Sequence, residues 1–134
     1  MTTTEASAAA PIRILIVDDS SLVRLYYRGI LERAGFSVDQ AMNGVEAIEK
    51  VLAQRFDLLI VDVNMPKMDG FSFLRRLRQS DSDAAVLPAL VITTEAGRDD
   101  MHEARAAGAN FYLVKPASEA DLRDYVSVLA GAPR

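Results

Sequence analysis

Asp57-Leu58-Leu59-Ile60-Val61-Asp62-Val63-Asn64-Met65-Pro66 is the stretch whose reading decides the fold. A short apolar run ends in a carboxylate, and the chain then breaks into a loop at Met65-Pro66 and Met68-Asp69-Gly70. A run this apolar, bounded by turn residues, reads as a strand buried on both faces. Open α/β sheets place their chemistry at the carboxyl ends of such strands, which makes Asp62 the first candidate working residue.

The pattern recurs to either side. Ile12-Arg13-Ile14-Leu15-Ile16-Val17 reads as a second buried strand that exits into Asp18-Asp19. Ser20 or Ser21 caps a helix with Val23, Tyr26, Tyr27, Ile30, Leu31 and Ala34 on its apolar side, and Gly35 ends it. The shorter, more polar run 36–41 belongs near a sheet edge. Asn43, with Glu46 three residues on, opens another helix whose apolar stripe is Val45, Ile48, Val51 and Leu52. After the opening strand come a helix over 71–79, a polar stretch at 80–83 and a strand over 89–94. An alanine-rich helix follows from Gly97 to Ala107, with Met101, Ala104 and Ala107 inward, then a strand over 110–114. Ser118 caps a last helix with Leu122, Tyr125, Val126 and Leu129 inward. Five strands alternating with five helices at this spacing give an α/β fold: parallel strands, right-handed crossovers, helices on both faces of the sheet.

At 134 residues the chain fits one domain. A formal net charge of −4 argues against non-specific nucleic-acid binding, which needs a basic face. The absence of cysteine excludes disulfides, thiolate metal sites and cysteine nucleophiles. No apolar run approaches the roughly 18 residues of a membrane helix, so no membrane segment is expected. Residues 1–10 lack the basic start and apolar core of a signal peptide and read as a disordered tail ahead of a domain over 11–131. A cytoplasmic location is expected.

Parallel strands point their carboxyl ends the same way, so Asp18, Asp19, Asp62, Thr93 and Lys115 should gather on one sheet edge. Three carboxylates a few ångströms apart repel one another unless a cation sits among them. Oxygen donors without Cys or His suit a hard ion, Mg²⁺ or Mn²⁺. A carboxylate that keeps one free oxygen is a nucleophile able to form an acyl phosphate. A metal, an ammonium and a hydroxyl would then cover the oxygens of a transferring phosphoryl group.

Val17-Asp18-Asp19, Val61-Asp62-Val63-Asn64-Met65-Pro66-Lys67-Met68-Asp69-Gly70, Ile92-Thr93-Thr94-Glu95 and Tyr112-Leu113-Val114-Lys115-Pro116 together resemble the receiver domains of two-component response regulators, most of all the stand-alone chemotaxis regulators. The resemblance runs from about Ile12 to Ala130. It implies a doubly wound five-stranded parallel sheet of flavodoxin-like order 2-1-3-4-5. Asp62 would accept a phosphoryl group from a histidine kinase or a histidine phosphotransfer protein. Asp19, Asp62 and the backbone carbonyl of Asn64 would bind Mg²⁺, with Asp18 holding metal-bound water. Lys115 would pair with phosphoryl oxygens, and Thr93 and Tyr112 would form the switch. The resemblance also implies a cis Lys115-Pro116 bond, tuning of dephosphorylation by Asn64 and Glu95, and modestly restricted access past Thr94.

No output domain is expected after the last helix, so the output is a protein contact through the face around Arg98–Arg105, Tyr112 and Asp121–Tyr125, made by a monomer. On that face Arg98, Asp99, Asp100, Glu103, Arg105, Glu119, Asp121, Arg123 and Asp124 form a mixed set where motor-binding relatives carry lysines. A phosphate-sink role is therefore an alternative to chemotaxis or motility signalling. A haloacid-dehalogenase-type phosphohydrolase also uses a strand-end aspartate, but it needs a second aspartate where Asn64 stands. A regulatory switch rather than an enzyme is expected. Arg75, Arg76 and Arg78 read as a solvated helix face, and His102 as a surface residue.

Overall fold

A computed structural model describes residues 11–63, 65, 69–93, 98–115 and 117–130, with 98–100 through their backbone. Along them run β1 (Arg13–Val17), α1 (Ser21–Arg33), β2 (Ser37–Ala41), α2 (Gly44–Ala53), β3 (Leu58–Asp62) and α3 (Gly70–Arg78). A 3-10 turn (Asp83–Val86), β4 (Ala89–Thr93), α4 (Arg98–Ala107), β5 (Phe111–Val114) and α5 (Glu119–Leu129) complete the order. Every strand pair is parallel, and the sheet runs β2-β1-β3-β4-β5. This is the doubly wound five-stranded sheet with five α-helices that the alternation implied. The polar run β2 lies at the edge, where only one side of a strand needs apolar cover.

Strand alternation sorts the core into two layers. Leu15, Val17, Leu59, Val61, Ala89 and Val91 face Ala47, Val51, Phe71, Leu74, Leu77, Ala104 and Ala107 of α2, α3 and α4. Ile14, Ile16, Leu58, Ile60, Leu90 and Ile92 face Tyr27, Ile30, Leu31, Leu122 and Val126 of α1 and α5. Successive strand residues thus serve opposite helical layers, which is why the strands are apolar throughout.

Side-chain oxygens start the helices. Ser20 Oγ accepts from the Val23 N–H, and Asn43 Oδ1 from the Glu46 N–H at 2.8 Å. Glu46 returns a bond, but to the Met42 N–H one residue before the cap. Asp69 and Ser118 cap α3 and α5 in the same way.

Three expectations are corrected. On α2 the buried positions are Gly44, Ala47 and Val51, whereas Val45 and Leu52 are 44% and 59% exposed. The inward face is the one carried by positions 44, 47, 48 and 51 at helical spacing, and Val45 and Leu52 fall to its side. Met101 is exposed too, and among the described side chains of α4 the buried ones are Ala104 and Ala107. Arg78 is not on a solvated face. Half-buried, it donates from Nη1 to the Ala85 and Leu87 carbonyls at 3.0 and 2.6 Å, and from Nη2 to Gly108 O at 2.6 Å and Asn110 Oδ1 at 3.2 Å. Its Nε adds a second bond to Gly108 O. Gly108 has φ +107°, and a Cβ there would come within 2.7 Å of the Arg78 side chain. Burial lowers the Arg78 pKa from its usual value, so the carbonyl bonds have to make up for lost water.

Arg78 therefore staples the ends of α3 and α4 to the 3-10 turn. Arg78→Ala is expected to lower the unfolding free energy by about 2–3 kcal/mol, since several partly buried carbonyls lose a charged donor at once. Urea denaturation checks this. A change below about 0.5 kcal/mol would show the staple to be idle.

Candidate functional site

Register brings the strand exits together. Val17 is the partner of Val61, so the next residues, Asp18 and Asp62, leave β1 and β3 side by side. Asp62 is opposite Ile92, which puts Thr93 one step further along β4. Thr93 is in turn opposite Val114, and the Lys115 N–H donates to the Thr93 carbonyl at 2.6 Å. The Lys115 Nζ lies 3.2 Å from Asp62 Oδ1 and 3.9 Å from Asp18 Oδ2. Asp18, Asp19 and Asp62 each bring a carboxylate oxygen within 4.8 Å of the others. Asp18 and Asp62 are buried and Asp19 is exposed, which leaves the cluster open on one side.

Helix α3 begins hard against this edge. The Gly70 N–H donates to the Val63 carbonyl at 3.1 Å. A Cβ at Gly70 would overlap the Asp62 carbonyl oxygen and lie 3.0 Å from Val61 Cγ1. Only glycine lets the helix close over the end of β3.

Burial pushes the Asp18 carboxyl up to about 6, and the neighbouring Asp62 charge adds to this. The Ser20 N–H, which donates to Asp18 Oδ1 at 2.9 Å, and the Lys115 ammonium pull it back. The Lys115 ammonium thus offsets only part of what burial costs the Asp18 charge. Tyr27 lies beneath them. Burial, with the Asp18 and Asp62 charges, pushes its hydroxyl up to about 12, so it stays a protonated phenol. Tyr27, Leu22, Val23, Tyr26, Lys115 and Ala117 line an apolar recess of about 300 Å³ next to the site. A larger groove of about 650 Å³, between Val51–Asp57 and Ser82–Pro88, opens at the opposite, amino-terminal edge of the sheet. It contains none of these groups.

The donor set fits a hard divalent cation. Asp18, Asp19 and Asp62 supply three oxygens close enough to share one ion, and all three are the hard oxygen donors such an ion takes. Among the sequence candidates, Asp18, Asp19, Asp62, Thr93 and Lys115 meet at one edge. Tyr112 is half-buried and packs on the α2–α4 core layer. Asn64, Glu95, Thr94, Gly97 and Pro116 lie outside the described residues, as does the tail 1–10.

Sequence reasoning passed over three residues that shape the site. Gly70 was legible as a glycine inside a helix start rather than after a helix end. Tyr27 differs from Tyr26, which is 51% exposed, only by its angle around α1. Arg24, whose Nη1 donates to the Asp18 carbonyl at 2.5 Å, carries no local signal at all.

Comparison with known proteins finds relatives over most of the chain. The response regulator receiver domain family matches residues 14–127. A gliding motility regulatory protein of Myxococcus xanthus is 40% identical over 112 residues, which cover 84% of this chain and 14% of that protein. The chain thus spans about one seventh of that relative's length. The chemotaxis protein CheY4 of Vibrio cholerae is 38% identical with a TM-score of 0.85, over 90% of this chain and 99% of that one. The receiver domain of a sensor histidine kinase of Pseudomonas aeruginosa, solved with a magnesium ion coordinated in its active-site cleft, is 28% identical with a TM-score of 0.83. That match covers 92% of this chain and 100% of that one. Among the described residues no helix is long and apolar enough to cross a membrane.

The Asp18 shift has a consequence for stability. Its carboxyl titrates near 6 in the folded chain against an ordinary 3.8, so the folded state holds the proton more tightly than the unfolded state. Stability of the metal-free protein therefore falls as pH rises from about 4 through 6. Asp18→Asn removes the charge that causes the loss. It is expected to raise the unfolding free energy by about 1–2 kcal/mol at pH 7.5 without divalent cation, with the gain vanishing near pH 4. Urea titrations at both pH values measure this, and no gain at pH 7.5 would contradict it.

Proposed function

We propose that this chain, which belongs to the response regulator receiver domain family, takes a phosphoryl group onto Asp62 and signals it by changing its binding to a partner protein. The observation that carries the reading is the Lys115 Nζ–Asp62 Oδ1 contact of 3.2 Å beside two further carboxylates. The donor is a phosphohistidine of a histidine kinase or histidine phosphotransfer protein. One Asp62 oxygen attacks phosphorus, the P–N bond breaks, and its electron pair leaves on the imidazole nitrogen. The product is an acyl phosphate on Asp62.

Transfer spreads negative charge over the three equatorial oxygens, and fixed positive groups stabilise it. Lys115 supplies one such group from its place against Asp62. Asp19, Asp62 and the Asn64 carbonyl would hold a divalent cation, Mg²⁺ or Mn²⁺, with Asp18 acting through water. That ion supplies the charge the site lacks. The magnesium ion in the Pseudomonas aeruginosa relative supports this assignment. The Thr93 hydroxyl donates to a phosphoryl oxygen, and Asn64 and Glu95 set how fast water removes the group.

The readout follows from the charge added, roughly one further negative unit and several acceptor oxygens. Thr93 and Tyr112 both belong to the alternation that faces α4, since Thr93 follows Val91 by two and Tyr112 is the partner of Val91. Movement of Thr93 toward the phosphoryl group is thereby passed to Tyr112 and α4. Helix α4 is the softest element, anchored inward by Ala104 and Ala107. The partner binds the face of Arg98–Arg105, Tyr112 and Asp121–Tyr125. CheY4 and the gliding motility protein favour chemotaxis or motility signalling as the setting. The mixed charges of Glu103, Arg105, Asp121, Arg123 and Asp124 on that face favour a second reading, a sink that drains phosphoryl groups from a kinase.

Acetyl phosphate with Mg²⁺ is expected to add one phosphoryl mass to the chain, none to Asp62→Asn, and none when Mg²⁺ is chelated. Intact-mass spectrometry reads this, and failure of the wild type to label defeats the reading. Thr93→Ala is expected to label but to lose the phosphorylation-dependent NMR shift at Tyr112. An unchanged Tyr112 shift would remove Thr93 from the switch.

A further inference from the structure

Arg24 reaches the site without touching the groups that react. It is half-buried on α1, with Nη1 donating to the Asp18 carbonyl at 2.5 Å and Nε donating to Gln40 Oε1 at 2.9 Å. That carbonyl belongs to the peptide joining Asp18 to Asp19. Because a peptide is planar, a donor fixed on its oxygen sets ψ of Asp18 and φ of Asp19 together, and so the direction of the Asp19 side chain.

The two carboxylates are held very differently. The Asp18 N–H donates to the Ala41 carbonyl at 3.1 Å, and Asp18 Oδ1 accepts from the Ser20 N–H at 2.9 Å. The Asp19 carboxylate is exposed and accepts no hydrogen bond among the described residues. Its aim depends on its backbone, which the Ser20 N–H bond to Asp18 Oδ1 spans and the Arg24 bond to the Asp18 carbonyl orients. A guanidinium suits this place because its rigid fork can hold Gln40 with one arm and the carbonyl with another.

We propose that Arg24 is a positioning residue that aims the Asp19 carboxylate at the divalent cation, acting through the Asp18–Asp19 peptide. The inference rests on the cation assignment made under the proposed function. It competes with a plainer role in which Arg24 only ties α1 to β2 through Gln40.

Titration of Mg²⁺ into the full chain without phosphodonor, followed by amide NMR shifts, separates the two. Arg24→Ala is expected to raise the Mg²⁺ Kd about tenfold, the lower end of what loss of an outer-sphere partner costs. Gln40→Ala should stay within about twofold of wild type, because the bond to the Asp18 carbonyl survives. In an Asp19→Ala background, Arg24→Ala should have no further effect, as two changes on one path do not add. Should Arg24→Ala fail to fold, Arg24→Gln removes the same charge with less loss of packing and carries the measurement. An unchanged Kd in the Arg24 variant, an equal loss in Gln40→Ala, or additive losses with Asp19→Ala each overturn the inference while leaving the cation site standing. A wild type that binds no Mg²⁺ overturns both.

Discussion

Three carboxylates whose oxygens lie within 4.8 Å of one another, two of them on buried residues, crowd like charge beside the Lys115 ammonium, an imbalance that burial sharpens. The rest of the site is arranged around that imbalance. Lys115 leans toward Asp62 and Asp18, the Ser20 N–H is spent on Asp18, and the Asp18 carboxyl still sits near 6. A site built this way offers the oxygen donors that a hard divalent cation takes.

The two-layer core separates the groups at the strand exits. Leu58 and Ile60 point Asp62 into the alternation that faces α1 and α5, where Tyr27 and the Lys115 recess lie. Val91 sets Thr93 and Tyr112 on the opposite alternation, against α4. Asp62 and the Thr93–Tyr112 pair thus occupy different layers of one sheet, and the strand exits bring them together. Arg78 holds the carboxyl-terminal end of α4, the end away from Thr93, by its bonds to Gly108 and Asn110.

Several residues read from the sequence by type alone took other places. Val45 and Leu52 are apolar yet exposed, because Ala47 and Val51 already fill the space between α2 and the sheet. Arg78 is charged yet half-buried, because carbonyls left over at two helix ends and a turn converge on it. Tyr26 and Tyr27 are neighbours in the chain but one angular step apart on α1, enough to send one outward and one beneath the carboxylates. In each case the deciding quantity is distance to a second element, which no local pattern contains.

The sequence by itself determined the strand and helix alternation, the parallel sheet, and the gathering of Asp18, Asp19, Asp62, Thr93 and Lys115 at one edge. It could do so because strand direction and strand-end residues are local properties, and parallel strands turn them into proximity without further information. Only the tertiary structure decided which carboxylates are buried, that Gly70 must lack a side chain to clear the Asp62 carbonyl, and that Arg24 reaches the peptide behind Asp19. Those depend on how closely α1 and α3 settle on the sheet, and that spacing is set by the packing of both layers at once.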